Sequence, residues 1–596
     1  MEPEVFYNKR IISLEEQRKV LIQKRSLLAW LRLAAIVVLI AAIYLLLPVG
    51  IQYSLIGAVI VLAIFIRLVF IDLENKNAIR NNGYLIQINQ MELAALAHNY
   101  YSFEDGVHYK PADHPYANDL DIFGRASLFQ YTNRTTSEMG GQTLAQWLLQ
   151  PATITVIEQR QVAVKELSTQ TEWRQQLEAY GKEEKISTVT QQRLREWLDA
   201  EPHFINNTFW KILQYAIPVI VIGIIVLNMA ELVSDPVRNF VLLGSLVIAL
   251  FMAKKIAPLH QQVSKMANEL AVLANSIKLI EQATFNAELL QTLQSKFTVE
   301  HTKASTQLKQ LKKIVERLDL RLNPVVFIPL AVILQWDIQQ AMALEKWKQR
   351  NKQNINDWFE AIGEFEALHS FAGLSFNHPQ WCVPTFTDQH FYMQGTGIGH
   401  PLIPANKRVN NAIAMNSREE LMLVTGSNMA GKSTYLRSIG VNTVLAMAGA
   451  PVCAANFSLS PVQIISSMRI ADNLEESTST FYAELKKLKA IIDRVNAGEK
   501  IFILLDEILR GTNSLDRHTG SVALVRQLIK HQAAAIIATH DVELAKLKEE
   551  YPNNILNYHF DVQVANDELF FDYKLKEGIC TSLNASILMK KIGIEL

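Results

Sequence analysis

From Leu33 to Ile66 the chain runs for 34 residues without one charged side chain, broken only by Pro48-Val49-Gly50. A helix crossing a bilayer core needs about 20 apolar residues, so the run predicts two spans, Leu27–Leu47 and Ile51–Ile71. Arg32 and Arg67 stand where their side chains can reach back to the membrane surface. A second apolar stretch follows the first at once, which disfavours a cleaved leader. A second pair is expected further on. Ile212–Ala230 is uncharged for 19 residues between Lys211 and Glu231, and Asn239–Ala253 gives 15 more before Lys254-Lys255. Lys9, Arg10, Arg18, Lys19, Lys24 and Arg25 precede the first span, whereas the linker Pro48–Tyr53 carries no charge. The positive-inside rule therefore puts the N-terminus in the cytoplasm. Two hairpins return the chain to that side each time. The expected location is the cytoplasmic membrane, multi-pass, with the soluble segments and both termini in the cytoplasm.

The 596 residues allow three or four domains. Lys plus Arg and Asp plus Glu are equal at 58 each, which argues against a large DNA footprint but leaves room for a local basic face. Cys382, Cys453 and Cys580 are far apart, with no CxxC pair, and read as isolated thiols in a reducing compartment. Gln142–Leu149, Ile157–Leu167 and Glu172–Tyr180 show helical spacing of apolar residues. Leu259–Asp319 lacks proline and reads as a long lever or coiled-coil arm, and Leu334–Trp358 continues in that style.

The chemistry-bearing motifs lie downstream. The apolar strand Glu420–Thr425 runs into Gly426-Ser427-Asn428-Met429-Ala430-Gly431-Lys432-Ser433, and a helical stretch, Thr434–Ala448, follows. GxxxxGKS between a strand and a helix is a P-loop signature. Its glycines let backbone N–H groups face phosphates at a helix N-terminus. Lys432 would reach the β- and γ-phosphates, and the Ser433 hydroxyl would hold Mg²⁺. Some 70 residues on, Lys500–Leu505 reads as a strand buried on both faces, ending in Asp506-Glu507. Asp506 would help position Mg²⁺ through water, and Glu507 would activate the attacking water. A third strand, Ala533–Ala538, ends in Thr539-His540-Asp541, making His540 a candidate γ-phosphate sensor.

Thr425–Arg437, with its Asn428-Met429-Ala430-Gly431-Lys432-Ser433-Thr434 string, resembles the P-loop of the MutS mismatch-repair family. Asp506-Glu507-Ile508-Leu509-Arg510-Gly511-Thr512 is close to that family's Asp-Glu-x-x-Arg-Gly-Thr run. Gly399-His400-Pro401 and Val409-Asn410-Asn411 fit the opening of its ATPase domain. Asp472 and Ser477-Thr478-Ser479-Thr480-Phe481-Tyr482-Ala483-Glu484 resemble its signature loop. Asn557-Tyr558-His559 matches an adenine-stacking histidine, and Gly578 with Ser582–Ala585 the dimer-forming end. Leu120–Gly124, Ser127–Phe129, Asn133–Thr136, Gly140–Leu144 and Trp147–Pro151 look like the start of its core, and Glu364–Leu368 like its return helix. The likeness covers Leu120–Leu596 apart from the second hairpin.

The resemblance implies an α and α/β chain. Expected are a basic tail (1–26), a transmembrane hairpin (27–71), a linker (72–119) and a long-helix lever or core domain in two parts (120–210 and 256–385). A second hairpin (211–255) stands where the family has its DNA clamp, and an ABC-type ATPase domain with a mainly parallel sheet fills 386–596. The family's chemistry implies ATP and Mg²⁺ as ligands, hydrolysis to ADP and phosphate, and a homodimer. In that dimer Ser477, Ser479 and Thr480 would meet the nucleotide of the other subunit. The family name also implies mismatched-DNA binding. None of the 25 phenylalanines begins the mismatch-reading Phe-x-Glu motif. With 119 residues before Leu120 and the sequence running to Leu596, neither the family's reader and connector domains nor its tetramerising tail is expected. The expectation is a membrane-anchored ATP-driven switch. The alternative is a DNA-structure or repair ATPase using Lys303, Lys309, Lys312, Lys313, Arg317 and Arg321. An ABC transporter fits less well, since four helices without an intramembrane acid offer little path.

Overall fold

The computed structural model describes residues 2–299, 301–389, 391–416, 420–427, 429–468, 480–565 and 568–580. Two long helices open it, α1 (Pro3–Leu46) and α2 (Ile51–Leu96). Their turn is shorter than the expected linker, because Ile51 already begins α2. In the most apolar 18 residues of each, only 11% and 6% are buried. A water-soluble hairpin would turn that surface inward; this one presents it outward. The segment expected as a linker from residue 72 is instead helical to Leu96. Its buried face there is polar and reads as solvent in the sequence. Asp72 meets Arg32 at 3.0 Å, Asn75 donates to the Leu21 carbonyl at 2.9 Å, and Asn82 and Asn89 follow at seven-residue steps on the same face.

The helical core begins with α3 (Leu128–Thr132), α4 (Glu138–Leu149), α5 (Ile154–Thr169), α6 (Thr171–Gly181) and α7 (Thr188–Asp199). The second apolar pair is α8 (Thr208–Met229) and α9 (Asp235–Ser264). With 17% and 22% of their most apolar stretches buried, they too face outward, and all four helices are long and apolar enough to cross a membrane.

The long arm expected over Leu259–Asp319 is broken. It forms the end of α9, then α10 (Ala267–Gln282), α11 (Glu288–Ser295), the short strands β1 (Thr298–Val299) and β2 (Thr302–Lys303), and α12 (Ala304–Asp319). The cause is tertiary. Phe285 is buried at the break between α10 and α11, and Glu166 of α5 accepts hydrogen bonds from the Asn286 and Ala287 N–H groups, capping α11. The chain then folds α12 back along α10, where Glu281 holds the Ser305 N–H at 3.0 Å, so both helices bury apolar faces. Leu334–Trp358 is likewise divided among α13 (Pro324–Leu334), α14 (Trp336–Asn351) and α15 (Ile355–Asn377).

Helix α15 is buried almost throughout and organises the core. Its Glu366 accepts from the N–H and hydroxyl groups of Thr136 and Ser137, fixing the start of α4. The first hairpin docks on the same unit. Glu92 of α2 pairs with Arg134, the two side chains being 7% and 5% exposed. Asn377 donates to Glu92 at 2.7 Å and accepts from the Tyr7 hydroxyl at 2.7 Å. Asn89 and Gln175 exchange amide hydrogen bonds at 3.2 and 2.9 Å, and Leu14, Leu85, Ile88 and Ala179 bury an apolar patch beside them.

The remaining chain carries β3 (Thr385–Phe386), β4 (Met393–Ile398), β5 (Asn411–Met415), β6 (Leu421–Thr425), α16 (Lys432–Ala448), β7 (Asn456–Leu459), β8 (Gln463–Ser467), α17 (Thr480–Asn496), β9 (Ile501–Asp506), α18 (Ser514–Lys530), β10 (Ala534–Thr539), β11 (Ile555–Ala565) and β12 (Glu568–Glu577). Six strands form a parallel-rich sheet in the order β12-β11-β6-β10-β9-β8, with only β12 antiparallel to its neighbour. Every residue of β6, β9 and β10 is buried, as in a sheet covered on both faces. The order β3-β7-β4-β5 makes a second, smaller sheet.

The segment after α2 ties the core to this part. Asp119 accepts from Lys487 Nζ at 2.7 Å, Ser466 Oγ at 2.8 Å and the Met468 N–H at 3.2 Å. Asp121 meets Arg437 of α16 at 3.2 Å. Leu120 packs on Gly440 of α16 so closely that a Cβ there would lie 2.8 Å from a leucine methyl.

Candidate functional site

Strand β6 ends at Thr425, and the chain turns through the glycine loop into α16 at Lys432. Gly426 and Gly431 have φ of +149° and +108°, a region that side chains disfavour, and a Cβ on Gly426 would meet the Phe560 carbonyl at 2.9 Å. Lys432 is buried and curls back on its own loop, donating to the Gly426 and Ser427 carbonyls at 2.8 and 2.9 Å. Burial pulls its ammonium down to about 8, against the opposing pull of Glu507 and Asp506.

The neighbouring strands deliver the acidic and imidazole groups. Asp506 ends β9, and its buried Oδ1 has no hydrogen-bond partner. Glu507 follows with φ +53°, its N–H held by the Ala538 carbonyl of β10 at 2.9 Å. Its carboxylate pairs with His540, just past β10, and with Arg510 at 3.0 Å. The His540 hydrogen bond holds the carboxyl below its usual range, with the charges of His540, Arg510 and Lys432 helping. Lys432 Nζ lies 3.4 Å from the His540 ring. The sheet thus gathers Lys432, Asp506, Glu507 and His540 at the C-terminal ends of three adjacent parallel strands, where α/β sheets bind ligands.

A cleft of about 500 Å³ opens beside them. Its lining includes Ser427, Met429, Gly431, Lys432, Ser433, Thr434 and Glu507 together with His400, Arg408, Phe560, Phe571 and Tyr573. Burial pushes His400 down to about 4, so it is neutral near pH 7. Phe571 and Tyr573 are stacked with centroids 6.0 Å apart. His559 does not line this cleft: it precedes Phe560 on β11, and successive side chains of a strand face opposite ways. Asn428, Ser477 and Ser479 lie outside the described residues, as do Asp472 and Ser582–Ala585. Thr480 begins α17. Ala430 is buried behind the loop.

Two features escaped the sequence reading. Phe571 and Tyr573 alternate along β12, so a period-two count would have found them. Glu484 was quoted only as part of a loop string. It is buried on α17 and accepts the N–H groups of Leu509 and Arg510, bracing the turn that carries Glu507. Leu509 in that turn has φ +59°.

A strand, a glycine loop, a lysine at the helix start and a carboxylate on the neighbouring parallel strand make a P-loop arrangement. The family model for MutS domain V matches residues 422–590, and that for MutS domain III matches residues 116–372. The chain is 35% identical to MutS protein homolog 4 of Mus musculus over 226 residues, 35% of this chain and 23% of that one. Against MutS protein homolog 4 of Homo sapiens the identity is 34% over 235 residues, 37% and 24% of the two chains. The chain thus spans about a quarter of the length of the curated relatives it matches. It belongs to the MutS family.

Proposed function

We propose that this protein is a membrane-anchored MutS-family ATPase that works as a dimer and uses ATP to switch its conformation. The observation that carries the reading is the meeting of Glu507, His540 and Lys432 at the mouth of the cleft. The residues present fit magnesium–ATP. Asp506 offers a buried oxygen with no partner, and Ser433 lines the cleft beside it. Among the described residues no cluster of three or more metal-binding side chains stands alone, so the ion would be held jointly with phosphates. Bound magnesium supplies neutralising charge to the β- and γ-phosphates.

The chain's own groups do the rest. Gly431–Thr434 presents backbone N–H groups at the start of α16, and Lys432 leaves its loop carbonyls for the phosphates. Glu507, kept ionised by His540 and Arg510, takes a proton from the attacking water. His540 orients that carboxylate and reads the γ-phosphate. The base is assigned to the Phe571–Tyr573 wall rather than to His559. In the dimer, Ser477, Ser479 and Thr480 of a second copy close the site. Closure around two nucleotides gives the difference in binding energy that a population shift needs, and α1, α2, α8 and α9 carry the response to the bilayer.

Glu507→Gln should retain ATP binding and lose about 100-fold or more of turnover. Unchanged turnover in steady-state assays, or ATP-independent monomers in detergent, would sink the reading. DNA binding has narrower support. Of the six basic residues proposed for it, Arg321 is turned inward to the Ala253 carbonyl and Asp337, and Lys312 pairs with Glu316 at 3.7 Å. Affinity that falls steeply with salt would restore it.

A further inference from the structure

Helix α13 is eleven residues long, Pro-Val-Val-Phe-Ile-Pro-Leu-Ala-Val-Ile-Leu, without a charge or a polar side chain. At about 1.5 Å per residue it measures roughly 17 Å, near half the thickness of a bilayer core. It packs on α8 and α9, and the chain bends by 79° where it passes into α14. Its outer face is apolar and open: Val325 is 83% exposed and Ile328 49%. That face continues the outward apolar surfaces of α8 and α9, on which Val219 and Phe240 are 70% and 78% exposed.

The ends of α13 carry a second, independent sign. A short helix in hydrocarbon has no water to meet its terminal backbone groups, so the protein must do it. Here it does. At the start the Asn323 side chain accepts the Val325 N–H at 3.1 Å. At the far end the Ala331 carbonyl takes the Gln335 N–H at 3.0 Å, the Val332 carbonyl takes the Ser245 hydroxyl at 2.5 Å, and the Leu334 carbonyl takes the Gln339 amide at 2.9 Å. The buried Gln335 side chain then returns to Ser245 of α9, to its carbonyl at 3.1 Å and its hydroxyl at 2.9 Å. Around this unit stand the groups that favour a membrane surface. Lys255 lies 5.3 Å from the Trp210 ring, and Trp336 is anchored to the Arg317 carbonyl at 2.8 Å.

We infer that α13 is itself embedded in the bilayer, a half-inserted helix that enters without crossing and makes the second hairpin a three-helix membrane unit. The inference rests on the membrane reading of α8 and α9. The occupant of the Val325–Ile328 face is lipid hydrocarbon, because the face is wholly apolar and continues the exposed apolar side chains of α8 and α9, Val219 and Phe240 among them.

The test uses the full chain with Cys382 replaced by serine, reconstituted into vesicles of phosphatidylcholine and phosphatidylglycerol. Nitroxides are placed singly at Val325→Cys and Ile328→Cys, with Val219→Cys on α8 as reference. Each label is scored for collision with oxygen, which partitions into lipid, and with a water-soluble nickel chelate. The expected result is that positions 325 and 328 match position 219, with oxygen collisions several-fold above those of the chelate. Chelate access at 325 and 328 with lipid access at 219 overturns the α13 proposal alone. Protection from both reagents at 325 and 328 also overturns it, since a protein surface would then cover the face. Chelate access at 219 as well removes the membrane reading of the hairpin beneath it.

Discussion

The two apolar hairpins differ in what lies beyond their apolar stretches. Helices α1 and α2 have 44 and 46 residues, whereas α8 and α9 have 22 and 30. At about 1.5 Å per residue the first pair is roughly 65–70 Å long, twice a bilayer core of about 30 Å. The excess forms a stalk, and its buried face is built of paired polar groups that lock onto α6 and α15. The second pair has little excess and is braced sideways by α13 and Ser245. Hydropathy marks both pairs alike as long and apolar enough to cross a membrane. Length and polar pairing set them apart in how each is fastened to the core.

Glu92→Leu should break this contrast most severely. It leaves Arg134 buried without its carboxylate, which costs about 3–5 kcal/mol, read as a lower urea midpoint in detergent. A loss under about 1 kcal/mol would mean the stalk is only loosely docked. Asp119→Ala asks whether the tie extends to the nucleotide end. It removes an acceptor from Lys487, Ser466 and Met468, and a loss of about 2–3 kcal/mol is expected. The same variant should weaken the response of α1 labels to ATP, and an intact response would place the tie elsewhere. At the brace of the second hairpin, Gln335→Leu, which removes the bonds to Ser245 of α9, should cost about 1–2 kcal/mol and leave ATP turnover unchanged. If turnover fell instead, the two hairpins would be equally coupled. Arg10→Ala, which frees a largely exposed Glu172 on α6 from its partner on the stalk, should cost less than about 1 kcal/mol. A larger loss would make surface pairing part of the lock.

The site was legible in the sequence because its parts are local. The glycine loop, the uncharged strand Ile501–Leu505 and the terminal His540 each announce themselves within ten residues, and the parallel pairing of β6, β10 and β9 brings them together. The lever was not legible in the same way. Apolar spacing runs through Phe285 without a glycine or proline, and the break there is imposed by Glu166 from another helix. The stalk's docking is not legible because Asn75 and Asn89 resemble solvent-facing residues until their partners, the Leu21 carbonyl and Gln175, are seen. Helix α13 was too short for a span, so its apolar run drew no attention. Phe571 and Tyr573 lie on a strand between the Asn557-Tyr558-His559 motif and Gly578, a stretch that no chemical motif marks.

The contact of Leu120 with Gly440 has a mechanical consequence. Most packed surfaces have some slack, since a side chain can change rotamer to absorb a small displacement. Gly440 has no side chain to yield, and Leu120 lies so near that a Cβ there would come within 2.8 Å of it. A tilt of α16 of the kind proposed for nucleotide arrival would therefore press like a cog on Leu120 and, through Asp119 and Asp121 on either side of it, on the segment that leads back to α2.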